Sequence, residues 1–336
     1  MEIKNKEKIK DNFWERLPKP FFALAPMADV TDCVFRELVS KYSRHGKEGG
    51  GPDVFWTEFV SADGLASAGR ENLLIDLKFN PDIERPIVAQ IFGAHLPQLE
   101  ETARLIQELG FDGIDINMGC PDKSVEKQGA GACMIKNPET AISAIEALRR
   151  GAPNLPISIK TRVGYNKVEI DTWIKTLLEL NVDALTIHAR TRAEMSLVPA
   201  RWEHVKEVVE MRDRMGLQTK IIGNGDVKNI EEGIALAKET GCDGIMIGRG
   251  IFGTPWLFDT QRKEITLEEK LNILVEHTNR YEEILGGVKS FNIMKKHYKA
   301  YVNGFDGAKE LRTILMEAPD AKTVESIVRS FLQDAR

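Results

Sequence analysis

The sequence predicts a (β/α)8 TIM barrel followed by a small all-α C-terminal domain. Short apolar runs alternate with longer amphipathic segments, which is the pattern of repeated βα units around a parallel sheet. The chain has 336 residues, 42% of them hydrophobic, and a barrel needs about 250 residues. After Phe258 the alternation stops and only helical patterns follow. We therefore expect a barrel over residues 1–263 and a helical domain over residues 264–336.

Eight short runs rich in apolar residues mark the predicted strands. They lie at 21–24, 54–56, 87–91, 113–116, 157–160, 184–187, 221–223 and 244–247. Between several of them, apolar residues recur at three- and four-residue spacing, which predicts helices at 96–109, 138–149, 170–180, 202–214 and 230–240. The same spacing predicts C-terminal helices at 267–286, 290–302, 307–316 and 321–332.

Two segments of the barrel do not follow the repeat. Residues 43–53 contain a glycine-rich stretch at 46–51, which predicts a flexible loop and resembles an insertion. Residues 61–80 are poorly patterned, so the second βα unit is expected to be irregular.

Composition excludes several classes of protein. Four cysteines lie far apart with no Cys-x-x-Cys pair, so neither a zinc site nor a disulfide framework is indicated. The charged N-terminus is unlike a signal peptide, and no run of about 18 apolar residues suggests a membrane span. We expect a cytoplasmic protein without metal or membrane association. The oligomeric state is not indicated, although a monomer is slightly favoured.

The charge distribution allows a nucleic-acid partner without requiring one. A net charge of −5 argues mildly against it. The cationic groups of the tail nevertheless cluster, at Lys289, Lys295, Lys296, His297 and Lys299. This cluster predicts either an RNA-binding surface or an ordinary solvated helix face.

Polar residues end five of the predicted strands, and a cysteine lies beside one of them. In a parallel barrel the side chains at the carboxyl ends of the strands form the active site. Such residues are expected to converge there, and Cys120 follows the fourth strand on a Gly-Cys-Pro turn. The five residues are Gln90, Asn117, Lys160, His188 and Asn224.

Glycine-rich segments after the last two strands predict a phosphate site. Residues 223–226 and 248–250 let backbone N–H groups approach a phosphate, and Arg249 adds a charged donor. The segment 248–253 also satisfies G-x-G-x-x-G, but no βαβ unit follows it. We therefore expect a mononucleotide phosphate and not a dinucleotide.

The chain resembles the tRNA-dihydrouridine synthases, flavoenzymes that reduce uridine in tRNA. The resemblance covers nearly the whole chain. In the first half it rests on APMA (25–28), EFVSA (58–62), QIFG (90–93) and DINMGCP (115–121). In the second half it rests on KTR (160–162), HARTR (188–192), GNGD (223–226), GRG (248–250), PW (255–256), and KKHY (295–298) with Tyr301 and 311–312. The run 193–196 lacks the tyrosine and glycine common in the family, so substrate contacts there are expected to differ.

The resemblance implies an FMN cofactor, reduced by NADPH or NADH, and a role for each matching residue. Cys120 would be the general acid that protonates uracil C5, and Asn117 would orient the uracil. A thiol with an ordinary pKa is protonated at neutral pH and suits this role. The flavin would contact Pro26, Met27, Gln90, Lys160 and His188. Its phosphate would be held by Asn224, Gly225, Gly248 and Arg249, and Asp226 is also expected at the cofactor site.

The resemblance also implies tRNA as partner, with cationic groups offsetting the cost of extracting a uridine. Expected tRNA contacts are Arg190, Arg192, Lys295, Lys296 and Arg312, with Lys123, Lys127, Tyr298 and Lys299 as further candidates. Two rivals remain open. One is a flavin barrel acting on free pyrimidines, similar to a dihydroorotate dehydrogenase. The other is a non-enzymatic RNA-binding module.

Overall fold

The computed structural model describes residues 12–262 and 264–334 and contains the predicted barrel. Its eight strands are all parallel. They are β1 (Phe21–Leu24), β2 (Phe55–Ser61), β3 (Ile87–Phe92), β4 (Gly113–Met118), β5 (Ile157–Arg162), β6 (Ala184–His188), β7 (Lys220–Asn224) and β8 (Gly244–Ile247). Each overlaps a predicted run, so the strand prediction is confirmed.

Closure of the sheet makes it a barrel. The strand order is β1-β8-β7-β6-β5-β4-β3-β2, in which each strand pairs with its neighbours. The two end strands meet through a parallel bridge between Ala23 and Val54, where the Leu24 N–H donates to the Val54 carbonyl at 3.1 Å. Because every strand is parallel, all eight carboxyl ends open on the same rim. We refer to this rim as the mouth.

The helices follow the predicted order, with local departures. They are α1 (Cys33–Tyr42), α2 (Ala62–Leu65), α3 (Arg70–Leu73), α4 (Leu96–Glu108), α5 (Lys123–Glu126), α6 (Pro138–Gly151), α7 (Lys175–Glu179), α8 (Glu203–Arg214), α9 (Ile230–Thr240), α10 (Leu267–Leu285), α11 (Met294–Tyr301), α12 (Ala308–Glu317) and α13 (Ala321–Asp334). The predicted helix 170–180 begins as a π-helical turn, Ile170–Ile174. The predicted helix 290–302 begins as a 3-10 turn, Phe291–Ile293.

The two irregular segments differ from each other. Residues 61–80 fold into α2, α3 and a 3-10 turn, so the expected irregular βα unit is confirmed. Residues 43–53 contain no regular element, but they are fastened to the end of the barrel. The Gly49 carbonyl accepts from the Thr260 N–H at 2.8 Å, and Arg44 donates to Gln261 at 2.5 Å.

The C-terminal helices enclose apolar side chains of their own and also pack on the barrel. Leu271, Tyr281, Leu315 and Val328 belong to one buried cluster, which extends to Val34 of α1. Helix α1 is therefore the surface on which the helical region rests. The division at residues 263 and 264 stays a prediction, since residue 263 lies outside the described residues.

Candidate active site

The five polar strand-end residues come together at the mouth. The parallel register sets Asn117 beside Lys160 and His188 beside Asn224. The Lys160 Nζ donates to the Asn224 Oδ1 across the barrel at 3.3 Å. Neighbouring strands thus converge at their carboxyl ends, as the sequence predicts.

A chain of hydrogen bonds runs from the barrel interior to Cys120. The Asp115 carboxylate accepts from the Ser158 hydroxyl at 2.6 Å and from the Gln90 Nε2 at 2.7 Å. The Gln90 Oε1 accepts from the Asn117 Nδ2 at 3.0 Å, and the Asn117 Oδ1 accepts from the Cys120 N–H at 2.9 Å. A carboxylate can only accept, so Asp115 fixes which end of each amide faces its neighbour. Cys120 is therefore positioned from within the barrel.

Asp115 was not singled out from the sequence. It is fully buried, and burial raises its pKa to about 6, against the opposing hydrogen bonds from Ser158 and Gln90. The same network leaves Gln90 fully buried, with both ends of its amide bonded within the protein. A charged residue inside an apolar strand was the available signal, since such residues are rarely buried without a partner.

The Cys120 thiol is half-buried on the turn after β4. Burial raises its pKa above the ordinary thiol value, against the opposing hydrogen bond from the Asp122 N–H and the nearby cations Arg162 and Lys160. The thiol is therefore protonated at neutral pH and can donate a proton. Cys33 and Cys242 are buried, whereas Cys133 is half-exposed like Cys120.

Arg162 joins the cysteine turn to the segment after β6 and was assigned no role from the sequence. Arg162 is buried, with 7% of the residue exposed. Its Nε donates to the Gly119 carbonyl at 2.9 Å, and its Nη1 donates to the Thr191 and Met195 carbonyls, each at 3.0 Å. One guanidinium thus holds two loops of the mouth together.

The mouth is electropositive. Burial, followed by the nearby cations Arg162, Lys160, Arg190 and Arg249, lowers the pKa of His188 well below its ordinary value, so this imidazole is neutral. Burial, followed by the nearby Arg162, lowers the pKa of Lys160 to about 8. An anionic group, such as a phosphate or a reduced flavin ring, suits this potential.

The glycine-rich segments form a cradle at the end of β7 and β8. Gly225 has a φ of 135°, and a Cβ there would lie 2.7 Å from that of Ala200. Arg249, with a side chain 62% exposed, donates to Asp226 at 2.7 Å. Burial by itself would raise the pKa of Asp226, but hydrogen bonds from the Ala200 N–H and from Arg190 lower it below its ordinary value. Asp226 is thus an anion that orients two arginines, and Arg249 remains accessible to a phosphate.

Two of the expected tRNA-binding arginines are already bonded within the protein. Arg190 is 2% exposed and donates to Asp226, to the Val198 carbonyl at 2.6 Å and toward the His188 ring. Arg192 lies closer to the surface and forms a two-pronged pair with Glu126, at 2.6 and 3.1 Å. Their substrate roles stay predictions.

The cationic cluster of the tail is only partly exposed. Lys296 is 50% exposed and pairs with Asp29, and Lys299 is exposed. Lys295 is half-exposed. Arg312 is half-buried and donates to the Val302 carbonyl at 3.1 Å. Lys295, Lys296 and Lys299 remain available to an anionic partner.

The inclusion of Lys289, His297 and Tyr298 in an RNA-facing group is wrong. His297 and Tyr298 are fully buried, and the His297 ring packs 5.1 Å from the Phe35 ring of α1. Burial lowers the pKa of His297 to about 3, so it carries no charge. Lys289 pairs with Glu58 at 2.7 Å and with Asp76 at 2.6 Å. These side chains join the helical region to the barrel.

The described part of the chain offers neither a group of metal ligands nor a helix that could span a membrane. Within residues 12–262 and 264–334, no three or more His, Cys, Asp or Glu side chains form a group that could hold a metal ion. Over the same residues, no helix is both long and apolar enough to span a membrane.

Comparison with known proteins identifies the family. Residues 23–336 match the family model described as Dihydrouridine synthase (Dus). The chain belongs to the dihydrouridine synthase family. It is 40% identical to the "Probable tRNA-dihydrouridine synthase" of Staphylococcus aureus (strain MRSA252), over 96% of each chain. It is also 40% identical to the "Probable tRNA-dihydrouridine synthase 2" of Bacillus subtilis (strain 168), over 96% of this chain and 97% of that protein.

A solved structure supports the fold of this family member. Histamine dehydrogenase from Rhizobium sp. 4-9 superposes with a TM-score of 0.50 at 12% identity, over 77% of this chain and 48% of that chain. At this identity the likeness concerns the fold.

Proposed function

We propose that this protein is a tRNA-dihydrouridine synthase, which reduces the C5–C6 double bond of a uridine in tRNA. The observation that carries the proposal is a protonated, half-buried thiol at the electropositive mouth of a barrel, in a chain that matches the dihydrouridine synthase family over residues 23–336. We place the enzyme in the cytoplasm, where free thiols remain reduced.

Residues of this chain fit an FMN cofactor. Arg249 and the cradle of Gly225 and Gly248 would hold its phosphate, and Asp226 would orient Arg249. Lys160 would lie near the N1 and O2 positions of the ring, where a cation stabilises negative charge. Pro26 and Met27 would lie against the ring. When bound and reduced by NADPH or NADH, FMN would supply a hydride to uracil C6.

Cys120 would supply the proton that completes the reduction. Hydride addition at C6 leaves an electron pair at C5, and the S–H bond of Cys120 breaks as the new C5–H bond forms. The raised pKa of Cys120 keeps this proton in place at neutral pH. Asn117 would hold the cysteine turn through its Oδ1 while contacting the uracil with its remaining hydrogen-bonding capacity.

The substrate is proposed to be tRNA and not a free pyrimidine. A uridine within a folded RNA must be extracted before it can reach Cys120, at a cost of a few kcal/mol. Lys295, Lys296 and Lys299 on the helical region offer charges to a phosphate backbone. The family match extends to residue 336 and so includes this region, which an enzyme of free pyrimidines would not need.

A two-step experiment tests the function. The purified full chain is loaded with FMN, and NADPH or NADH is added without oxygen until the flavin absorbance bleaches. Unmodified tRNA is then added. We expect the absorbance to return and one dihydrouridine to form for each flavin reoxidised. Bleached flavin that reacts with uridine or orotate but not with tRNA would instead support the free-pyrimidine alternative, and flavin that no substrate reoxidises would support the non-enzymatic one.

A further inference from the structure

The loop between β6 and α8 exposes an unusual group of apolar side chains. Nine large apolar side chains are exposed among the described residues, and three of them lie within four positions of this loop. They are Met195 at 41%, Leu197 at 86% and Val198 at 37% exposure. Single exposed apolar residues are common, but a contiguous group marks a surface that something else covers.

The backbone of the loop is held by buried arginines on both sides of Leu197. The Met195 carbonyl accepts from Arg162 at 3.0 Å, and the Val198 carbonyl accepts from Arg190 at 2.6 Å. Both guanidiniums are buried. The Ala200 N–H donates to Asp226 at 2.9 Å. The loop is thus pinned at both sides of Leu197, which projects from a fixed base.

The fixed base lies beside the cysteine turn. The Arg162 guanidinium that holds the Met195 carbonyl also holds the Gly119 carbonyl at 2.9 Å, one residue before Cys120. The base of the apolar loop and the cysteine turn are therefore joined through one guanidinium, on the side of the mouth where Cys120 lies.

Cations flank the same edge of the mouth. Lys136 and Arg192 lie over the Tyr165 ring, at 4.3 and 5.2 Å from its centroid. Lys123 and Lys127, at the helix that follows Cys120, are exposed. A polyanion whose interior consists of apolar faces complements this surface, which is the description of a base-stacked nucleic acid.

We propose that Leu197, supported by Met195 and Val198, is a wedge that enters the base stack of the tRNA beside the uridine being extracted. The proposal rests on the proposed function, since the wedge fills the gap that an everted uridine leaves. Other proteins that distort nucleic acids insert apolar side chains between bases in this way. The Leu197 side chain would also contribute to the choice of uridine, because it fits only where stacked bases lie next to the uridine to be reduced.

The test compares Leu197→Ser with Leu197→Met and with a control, Ile234→Ser. Ile234 is 49% exposed on the outer helix α9, so its replacement removes an exposed apolar side chain outside the loop. After the modified uridine has been mapped, 2-aminopurine is placed next to it in the tRNA. The measurements are kcat/KM for dihydrouridine formation, 2-aminopurine fluorescence on binding, the rate of flavin reduction without tRNA, and the oligomeric state as a function of protein concentration.

We expect Leu197→Ser to lower kcat/KM by about 10- to 100-fold, in line with the free energy of unstacking one base step. The fluorescence rise that we expect with the original protein should disappear in this variant, while the rate of flavin reduction stays unchanged. Leu197→Met should remain within about threefold of the original, because it keeps an apolar side chain of similar size, and Ile234→Ser should have no effect.

Three outcomes would overturn the wedge. The first is an unchanged kcat/KM and fluorescence rise in Leu197→Ser. The second is slower flavin reduction without tRNA, which would make the loop a cover for the flavin. The third is loss of a concentration-dependent dimer, which would make it a contact between two copies. If the original protein itself forms no dihydrouridine, the proposed function fails, and that result is distinguishable from all three.

Discussion

At the scale of single residues, the surroundings of Cys120 distinguish it from the other cysteines as a candidate general acid. The chain has four cysteines, and both Cys120 and Cys133 are half-exposed. Only Cys120 donates its backbone N–H to the Asn117 Oδ1. Burial raises the pKa of its thiol. A group with this protonation state and position suits a general acid.

Replacing Cys120 by Ala should slow reduction of tRNA by about 10²–10⁴-fold, because a positioned acid typically contributes that factor. Flavin should remain bound, since the thiol is not among the residues proposed to hold it. Single-turnover reoxidation of reduced flavin by tRNA gives the rate, and the flavin absorbance gives the occupancy. Cys133→Ala is the matched control and should keep the original rate. A Cys120→Ala protein that retains most of that rate would refute the assignment.

At the scale of elements, helix α1 begins at a buried carboxyl group whose charged form is unfavourable. Asp32 caps the helix by accepting from the Phe35 N–H at 2.9 Å. Burial, followed by the nearby Glu58 carboxylate, raises its pKa to about 7. The second oxygen, Oδ2, is buried without a hydrogen-bond partner. An ionised carboxylate here therefore costs stability.

Asp32→Asn should stabilise the protein at pH 8 by on the order of a few kcal/mol, with little gain near pH 4. The pKa of Asp32 is higher in the folded state than in the unfolded state, so its contribution is fully present below the unfolded value and is lost as pH rises toward about 7. Asn cannot ionise and is an equally good helix cap. Urea unfolding at pH 4, 6 and 8 measures the difference.

The control for this prediction is Asp320→Asn. Asp320 accepts from the Thr323 N–H at 2.7 Å at the start of α13, and hydrogen bonds from Thr323 lower its pKa. The pKa of Asp320 is lowered in the folded state, whereas that of Asp32 is raised. Asp320→Asn should therefore bring no gain in stability at pH 8. Equal pH profiles for the two variants would show that burial of Asp32 is not the cause.

At the scale of the whole molecule, ion pairs connect the helical region to the barrel mouth. Lys289 pairs with Glu58 and Asp76, and the Lys289 and Glu58 side chains are only 14% and 5% exposed. Glu58 also accepts from the Asp29 N–H at 2.5 Å, in the loop that follows β1. A nearby pair, Lys296 with Asp29, is exposed at 50% and 48%. The two pairs join the same regions but differ in burial.

Lys289→Met should destabilise the full chain by about 3–5 kcal/mol, because removing one partner leaves the buried Glu58 carboxylate without its counter-charge. Lys296→Met should cost less than about 1 kcal/mol, since exposed pairs contribute little. Thermal and urea unfolding at pH 7 measure both variants. Equal losses for the two would mean that burial does not determine the strength of these connections.

The sequence by itself determined the repeating fold and the position of the chemistry. Apolar runs and helical spacing are local patterns. Eight apolar runs that alternate with helical segments predict a parallel barrel. Once the strands are placed, Gln90, Asn117, Lys160, His188 and Asn224 must meet at the mouth because parallel strands end on one side. The position of Cys120 follows from the same geometry.

Only the tertiary structure decided which polar side chains are exposed and available to bind a partner. Lys289 and His297 look like members of an exposed cationic cluster, yet one pairs with Glu58, 231 residues away in the chain, and the other packs against Phe35. Arg190 is similarly committed to Asp226. Local patterns describe one element at a time, whereas burial depends on the distant element that covers it, and burial sets both the charge and the accessibility of these side chains.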